Sequence, residues 1–297
     1  MKIIKPNYYD NFKCTAGHCT HNCCIGWEID IDEDTLAFYR KLPSPLGDKL
    51  QANISLDDTP HFILGKNGRC PFLNDDNLCE LICAFGEDGI CNICNDHPRF
   101  FNEFSDRIEC GLGLCCEEAA RLILSQQEKT TFFSDESSAE NATEKEREFF
   151  KIRHDIYSIL QDRSVPMNQR IHRMCALYSA NEFPSLSDFK TIYRSLERLD
   201  PQWDLYLDQI NDENWVIEWD LACEQFAIYL IYRHLAGALD DGRLTERIKF
   251  IALSLRIFNN LSRNATDPKD LFEIARLYSA EIEYSDENIE ILLNYLK

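Results

Sequence analysis

Fourteen cysteines are the residues of this chain whose type and spacing most directly indicate chemistry. Twelve of them fall between Cys14 and Cys116, in short runs. Thiolates that are close in sequence reach a common ion with little loss of loop entropy, so such runs are typical of zinc and iron–sulfur sites. The runs are Cys14-x4-Cys19-x3-Cys23-Cys24, then Cys70, Cys79, Cys83 and Cys91-x2-Cys94, and finally Cys110-x4-Cys115-Cys116. We therefore predict a cysteine-bound metal centre that organises the first part of the chain.

Three other interpretations of these cysteines fit less well. A disulfide framework belongs to secreted proteins, and the first residues, Met1–Pro6, do not resemble a secretory leader. A zinc ribbon needs two cysteine pairs with a two-residue gap, but Cys91 and Cys94 are the one such pair. A radical S-adenosylmethionine motif would need a cysteine where Gly26 stands. We therefore keep iron–sulfur and zinc as the two alternatives and expect a reducing, cytoplasmic compartment.

The composition narrows the possible partners. The 297 residues carry a net charge of −20, which repels phosphate backbones and argues against nucleic-acid binding. A basic or lysine-bearing protein would be attracted instead. The most apolar stretch, Val216–Leu239, contains several charged residues, so it predicts a buried helix and no membrane partner.

The elements that must position the cysteines indicate a mainly α protein. Residues 1–125 read as an irregular cysteine-rich domain with a few short strands, at 27–31 and 62–64, and with helices at 32–41 and from Glu117. Residues 126–147 read as a polar linker. Residues 148–297 show apolar spacings of three and four and predict an all-α domain of about seven helices, with Cys175 and Cys223 buried in it.

Four motifs resemble those of a known family. The segments are Cys14–Trp27, CTAGHCTHNCCIGW; Cys70-Pro71-Phe72-Leu73 followed by Asn77-Leu78-Cys79; Cys94-x3-Pro98-Arg99; and Cys116–Leu122, CEEAARL. They are similar to the motifs of the flagellin lysine-N-methylases, within the CxxCxxCC group of zinc- or iron-chelating proteins. The helical half is also similar around Asp162-Arg163 and over Tyr229–Leu239.

The resemblance implies methyl transfer from S-adenosylmethionine to lysine side chains of flagellin, with a four-iron (4Fe-4S) cluster. The cysteines that match, and that the resemblance implies as metal ligands, are Cys14, Cys19, Cys23, Cys24, Cys70, Cys79, Cys94 and Cys116. Four others, Cys83, Cys91, Cys110 and Cys115, are extra to the pattern. The chain departs from the family in two ways: His97 stands where an aromatic residue usually precedes Pro-Arg, and the chain is shorter than many members. A segment that recognises flagellin could be among the missing residues, so flagellin is one candidate among lysine-bearing substrates.

The chemistry requires that the lysine amine lose its proton before it attacks the methyl group, because free lysine titrates near ~10.4. Trp27 is a candidate to stack on the adenine of the cofactor, and Arg99 a candidate to bind its carboxylate. The sequence identifies no catalytic base. The alternative function is a non-enzymatic iron–sulfur or zinc module for redox sensing or partner binding.

Overall fold

A computed structural model describes residues 1–134, 141–181, 184–212 and 214–297 of the chain. The described residues are mainly helical with a few short strands, as the sequence predicts. The strands are β1 (Lys2–Pro6), β2 (Ile54–Ser55), β3 (His61–Phe62), β4 (Arg99–Glu103), β5 (Arg107–Leu112) and β6 (Phe132–Phe133). The α-helices are α1 (Glu33–Tyr39), α2 (Leu46–Ala52), α3 (Glu80–Phe85), α4 (Asn92–Asp96), α5 (Glu117–Leu124), α6 (Glu144–Leu160), α7 (Met167–Leu177), α8 (Leu186–Ser195), α9 (Gln202–Gln209), α10 (Asp220–His234), α11 (Ala238–Asp241), α12 (Leu244–Leu261), α13 (Pro268–Tyr278) and α14 (Asp286–Tyr295).

The chain forms two compact units. The cysteine unit is Lys13–Arg99, and the helical unit combines Met1–Phe12 with Phe100–Lys297. The first residues belong to the helical unit because β1 pairs in parallel with β5, with Ile3 opposite Ile108. The division therefore differs from the predicted ranges 1–125, 126–147 and 148–297.

The cysteine unit is built on a small apolar core. Asp32 starts α1 as predicted, because its carboxylate accepts a hydrogen bond from the Thr35 amide at 3.0 Å. The strand predicted at 27–31 is absent from the described residues; a single bridge joins Asp30 to His61. The strand predicted at 62–64 is shifted to His61–Phe62, where β3 pairs with β2. The core consists mainly of Ile29, Ile31, Tyr39, Leu50, Phe62, Phe72, Leu81 and Cys91.

A four-stranded sheet in the order β4-β5-β1-β6 opens the helical unit. Its last strand lies inside the predicted polar linker 126–147, of which residues 135–140 are outside the described part. Phe132 forms this strand because its ring stacks on Tyr232 and Tyr157, with centroids 4.6 and 5.1 Å away. The end of the linker is also structured, since α6 begins at Glu144.

Helix α10 is the central helix of the helical unit. Most of its residues are buried, so it packs on several sides, against α5, α6 and α12. Its charged Glu224 is 1% exposed and is paired with Arg170 at 2.6 Å and Arg163 at 2.8 Å. These ion pairs join the loop before α7, and α7 itself, to α10.

The second half of the helical unit matches the predicted helical pattern closely. The described residues from Glu144 onward form nine α-helices, two more than predicted. The expected breaks occur at Pro184, Pro201, Gly242 and Asp267–Pro268, where helices begin or end. Helix α13 continues into a π-helical turn, Ser279–Glu283. No helix in the described ranges combines the length and the apolarity needed to cross a bilayer.

Candidate metal centre

Two backbone segments of the cysteine unit run side by side and bring Cys24 next to Cys70. The Cys70 amide donates to the Cys24 carbonyl at 2.9 Å, and the Gly26 amide donates to the Gly68 carbonyl at 3.0 Å. Both glycines have positive φ, and a Cβ on Gly68 would lie 3.2 Å from the backbone of Gly26. Glycine is therefore required where these segments cross.

Cys70 and Cys79 occupy similar turns. Burial raises the pKa of Cys70, and the backbone amides of Phe72 and Leu73 oppose that increase; the Leu73 amide itself donates to the Cys70 carbonyl at 3.1 Å. Burial likewise raises the pKa of Cys79, while two backbone amides at the start of α3, two and three residues further along the chain, oppose the increase. Amides aimed at sulfur stabilise a thiolate, which is the form that binds metal. Both turns are thus suited to hold metal ligands.

Cys91 and Cys94 supply two further thiols one helical turn apart. Cys91 is fully buried at the start of α4, and the Cys94 amide donates to its carbonyl at 3.0 Å. A hydrogen bond from the Cys94 thiol lowers the pKa of Cys91 against the opposing effect of burial, and the Tyr39 hydroxyl, 3.8 Å from the Cys91 sulfur, acts in the same direction as Cys94. The pKa of Cys94 is raised, first by that same hydrogen bond and then by burial.

The adjacent pair Cys23-Cys24 shares one hydrogen bond. The bond from Cys24, assisted by His97, lowers the pKa of Cys23 to about 4 against the opposing effect of burial. The same bond, with burial, raises the pKa of Cys24.

Six cysteines influence one another's pKa, and we call them the thiol cluster: Cys23, Cys24, Cys70, Cys79, Cys91 and Cys94. Cys83, which is exposed on α3, also raises the pKa of Cys79. Burial raises the pKa of Cys70 to about 11, and negative charge on Cys79 and Cys91 adds to the increase. Cys24 and Cys94 are influenced by neighbouring thiols in the same way. A cation among them would offset this mutual repulsion, so the donor set fits a thiophilic metal or an iron–sulfur cluster.

The thiols of the described residues do not form a coordination shell. In the described ranges no three His, Cys, Asp or Glu side chains are arranged as a group that could hold a metal ion. All fourteen cysteines are free thiols, so none is used in a disulfide.

Three predicted ligands have other surroundings. The Cys14 sulfur accepts a hydrogen bond from the Ala16 amide at 3.3 Å, and the Cys19 sulfur lies 2.8 Å from the Thr15 hydroxyl. Cys116 belongs to the helical unit, where it precedes α5. The structure thus brings five of the eight predicted cysteines into the thiol cluster.

The two predicted cofactor residues make local contacts. The Trp27 indole N–H donates to the Cys23 carbonyl, and its ring lies 6.0 Å from the ring of His97. Trp27 therefore supports the backbone of a thiol-cluster residue. Arg99 donates to the Asn95 carbonyl at 3.1 Å.

The sequence interpretation did not assign a role to Cys91, Tyr39 or His97. Cys91 was set aside as extra to the family pattern, but it is a fully buried member of the thiol cluster. Its two-residue gap to Cys94 was the available signal. Tyr39 and His97 contact thiols that are distant in sequence, so no local pattern indicated them.

Comparison with known proteins supports the resemblance to the lysine-N-methylases at low identity. The chain is 26% identical over 137 residues to the lysine-N-methylase of Salmonella choleraesuis, and 25% identical over 137 residues to that of Salmonella typhimurium. Each match covers 42% of this chain and 33% of the relative. The chain therefore matches only about a third of the length of these relatives.

A third relative has a different name. The flagellar biosynthetic protein FliU of Salmonella muenchen is 26% identical over 131 residues, which cover 42% of this chain and 78% of that protein. No family model matches the chain. No solved structure matches it either.

Proposed function

We propose that this protein transfers methyl groups from S-adenosylmethionine to lysine side chains of a protein substrate, with flagellin as the first candidate. The observation that carries the proposal is the similarity to two Salmonella proteins named lysine-N-methylase. The relative named for flagellar biosynthesis supports a flagellar substrate. The net charge of −20 favours association with a lysine-bearing partner.

The proposed metal centre lies in the cysteine unit. The thiol cluster would hold it, with Cys14 and Cys19 as further ligands of the same unit, and Cys116 remains a predicted ligand from the family pattern. A 4Fe-4S cluster is our first choice because so many thiolates are available, and zinc is the alternative. When bound, such a centre supplies positive charge that neutralises the thiolates and fixes their loops. A reducing, cytoplasmic location is part of this proposal.

The chain's own residues orient this site. Trp27 fixes the backbone at Cys23, and Tyr39 approaches Cys91. Arg99 is proposed to bind the carboxylate of the cofactor, and Trp27 to present a ring face to its adenine. In these roles, Arg99 would contact the cofactor in addition to the Asn95 carbonyl, and Trp27 would contact it in addition to the Cys23 carbonyl.

Methyl transfer can be tested directly. Anaerobically purified protein would be incubated with flagellin and S-adenosylmethionine labelled in its methyl group, and lysine peptides would be examined by mass spectrometry. We expect labelled methyl groups on lysine with the native protein and none with Cys70→Ser. If the purified protein retains its metal and the flagellin lysines stay unlabelled, the proposal is contradicted.

A second function is favoured by one observation. The match covers a third of the lysine-N-methylases but most of the FliU protein, whose name gives no enzymatic activity. A metal-binding redox or interaction module is therefore the alternative. Metal retention together with flagellin binding, but without labelled lysine, would support it.

A further inference from the structure

A cavity of about 650 Å³ lies within the helical unit. Its walls come from β4, the start of α6, the end of α10, the following turn and the start of α14. Phe101, Phe104, Leu239 and Ile289 provide apolar surface, while the remaining walls are polar. The cavity is thus suited to a ligand that has both an apolar stem and a polar end.

A buried histidine on the cavity wall is held by a carboxylate. His234 is 8% exposed, and its Nε2 lies 2.5 Å from Oε1 of Glu283. Oε2 of Glu283 accepts a hydrogen bond from the Tyr229 hydroxyl at 2.8 Å, and Arg233 donates to the same hydroxyl at 2.8 Å. Glu283 is the last residue of the π-helical turn, an element that is frequent at functional sites.

This arrangement leaves one histidine nitrogen available. In the described part of the chain, Nδ1 of His234 makes no hydrogen bond, while Nε2 is bound to Glu283. Burial lowers the pKa of His234, and the charges of Arg233 and Arg247 lower it further against the effect of Glu283. The imidazole is therefore neutral near pH 7. If its proton is on Nε2, where the carboxylate accepts it, Nδ1 is a free base.

The unused charge of the cavity is negative. Glu103, Asp240 and Asp286 line it, and none of them forms an ion pair or hydrogen bond through its side chain within the described residues. Three cations also line the cavity: Arg247 pairs with Asp241, Arg233 lies 3.9 Å from Glu283, and Lys145 donates to the Leu239 carbonyl. A cationic ligand would thus gain carboxylate partners without breaking existing contacts.

We propose that this cavity binds the alkylammonium side chain of a lysine, and that His234 accepts the proton of that ammonium. The methylene stem would lie against the apolar walls, and Asp240 and Asp286 would attract the charged end. The proton passes from the lysine nitrogen to Nδ1 of His234, which leaves a neutral amine and an imidazolium that Glu283 contacts at Nε2. The proposal deepens the proposed function and rests on it for the kind of protein that carries the lysine.

Binding can be measured without cofactor and without turnover. The probes are three peptides that differ at one position, which is lysine, norleucine or arginine, titrated into the full-length protein by calorimetry. We expect the lysine peptide to bind about tenfold more tightly than the norleucine peptide, because only lysine brings a charge to the two carboxylates; tenfold corresponds to about 1.4 kcal/mol. Equal binding of the norleucine or the arginine peptide would overturn the proposal.

Two matched double variants locate the site. Asp240→Asn with Asp286→Asn should weaken binding of the lysine peptide about tenfold. Asp75→Asn with Asp76→Asn removes the same charge from an exposed turn of the cysteine unit and should leave affinity unchanged. The same loss in both pairs, or in neither, would contradict a specific site in the cavity.

His234→Gln separates binding from proton transfer. Because glutamine cannot accept the proton, this variant should bind the lysine peptide with native affinity and lose methyl transfer. If native protein methylates flagellin and Asp240→Asn with Asp286→Asn changes neither binding nor rate, the inference fails and the proposed function stands. If lysine peptides bind as expected and no lysine is methylated, the proposed function fails and the cavity assignment stands.

Discussion

The hydroxyl of Tyr39 lies 3.8 Å from the sulfur of Cys91 and donates a hydrogen bond to the Gly89 carbonyl at 3.1 Å. The two residues are both buried, and they join α1 to the start of α4. Tyr39 therefore helps to fix the position of the Cys91 thiol, which we propose as a metal ligand.

Replacing Tyr39 by phenylalanine should weaken the metal centre without removing its ligands. The change keeps the ring but deletes the hydroxyl that contacts Cys91. Loss of such outer contacts typically costs 10- to 100-fold in metal affinity, so we expect a decrease of about that size. Competition with a chelator would measure it. Tyr295→Phe, at a half-exposed tyrosine of the helical unit, is the control and should have no effect.

Cys91 and Cys83 should differ in their effect on metal content. Cys91 is buried in the thiol cluster, whereas Cys83 is exposed on α3. We expect Cys91→Ser to lose most of the bound metal and Cys83→Ser to retain it, because a serine hydroxyl is a poor substitute for a thiolate. Metal and sulfide analysis after anaerobic purification would show this. Full metal content in Cys91→Ser would show that Cys91 is not a metal ligand and serves only as part of the apolar core.

Glu224→Gln should destabilise the helical unit strongly. The change leaves Arg170, a buried residue, without its carboxylate, and removal of one partner from a buried ion pair costs about 3–5 kcal/mol. Urea denaturation would measure the difference in the free energy of unfolding. The control is Glu118→Gln, which breaks a pair with the half-exposed Arg121 and should cost about 1 kcal/mol or less. Similar costs in the two variants would show that Glu224 does not fasten α7 to α10.

The capping box at the start of α6 should make stability depend on pH. Burial opposes ionisation of Glu146, but hydrogen bonds from the backbone and hydroxyl groups of Ser105 and Thr143 outweigh it and lower its pKa to about 2. A lowered pKa in the folded state stabilises the protein above the ordinary value for glutamate, and this contribution is lost as the pH falls toward 2. Denaturation at several pH values should therefore show a smaller acid dependence in Glu146→Gln.

Thr143→Ala tests the same helix start at neutral pH. Removing an N-cap side chain costs about 1 kcal/mol, so the free energy of unfolding should decrease by about that amount. Thr143→Ser, which keeps the hydroxyl, should be close to native. A serine variant as unstable as the alanine variant would show that the methyl group matters more than the cap.

The parts of the fold that were predictable depend on local signals. Asp32 caps α1, and α5 begins at Glu117, because caps and apolar spacing act over a few residues. The start of α6 was missed because Thr143 and Glu146 stand in a stretch whose composition is polar. The pairing of β1 with β5 was missed because no local pattern encodes a partner about a hundred residues away.

The candidate sites also combine features that have a local sequence signal with features that depend on residues distant in sequence. Cysteine spacing predicted that thiols would meet at a metal, and the family resemblance named Cys70, Cys79 and Cys94 among its ligands; that prediction still awaits a test. Spacing did not indicate the hydrogen bond between His234 and Glu283, because these residues meet through a π-helical turn that the sequence does not reveal.

The crossing of Gly26 and Gly68 has a consequence for the protein before it acquires metal. Main-chain hydrogen bonds already join the two segments that carry Cys24 and Cys70. The loop between Cys24 and Cys70 therefore closes when the chain folds, and metal binding does not have to supply the free energy for that closure. An incoming ion meets donors that are already neighbours, so we expect the apoprotein to keep this junction closed and to load metal without refolding.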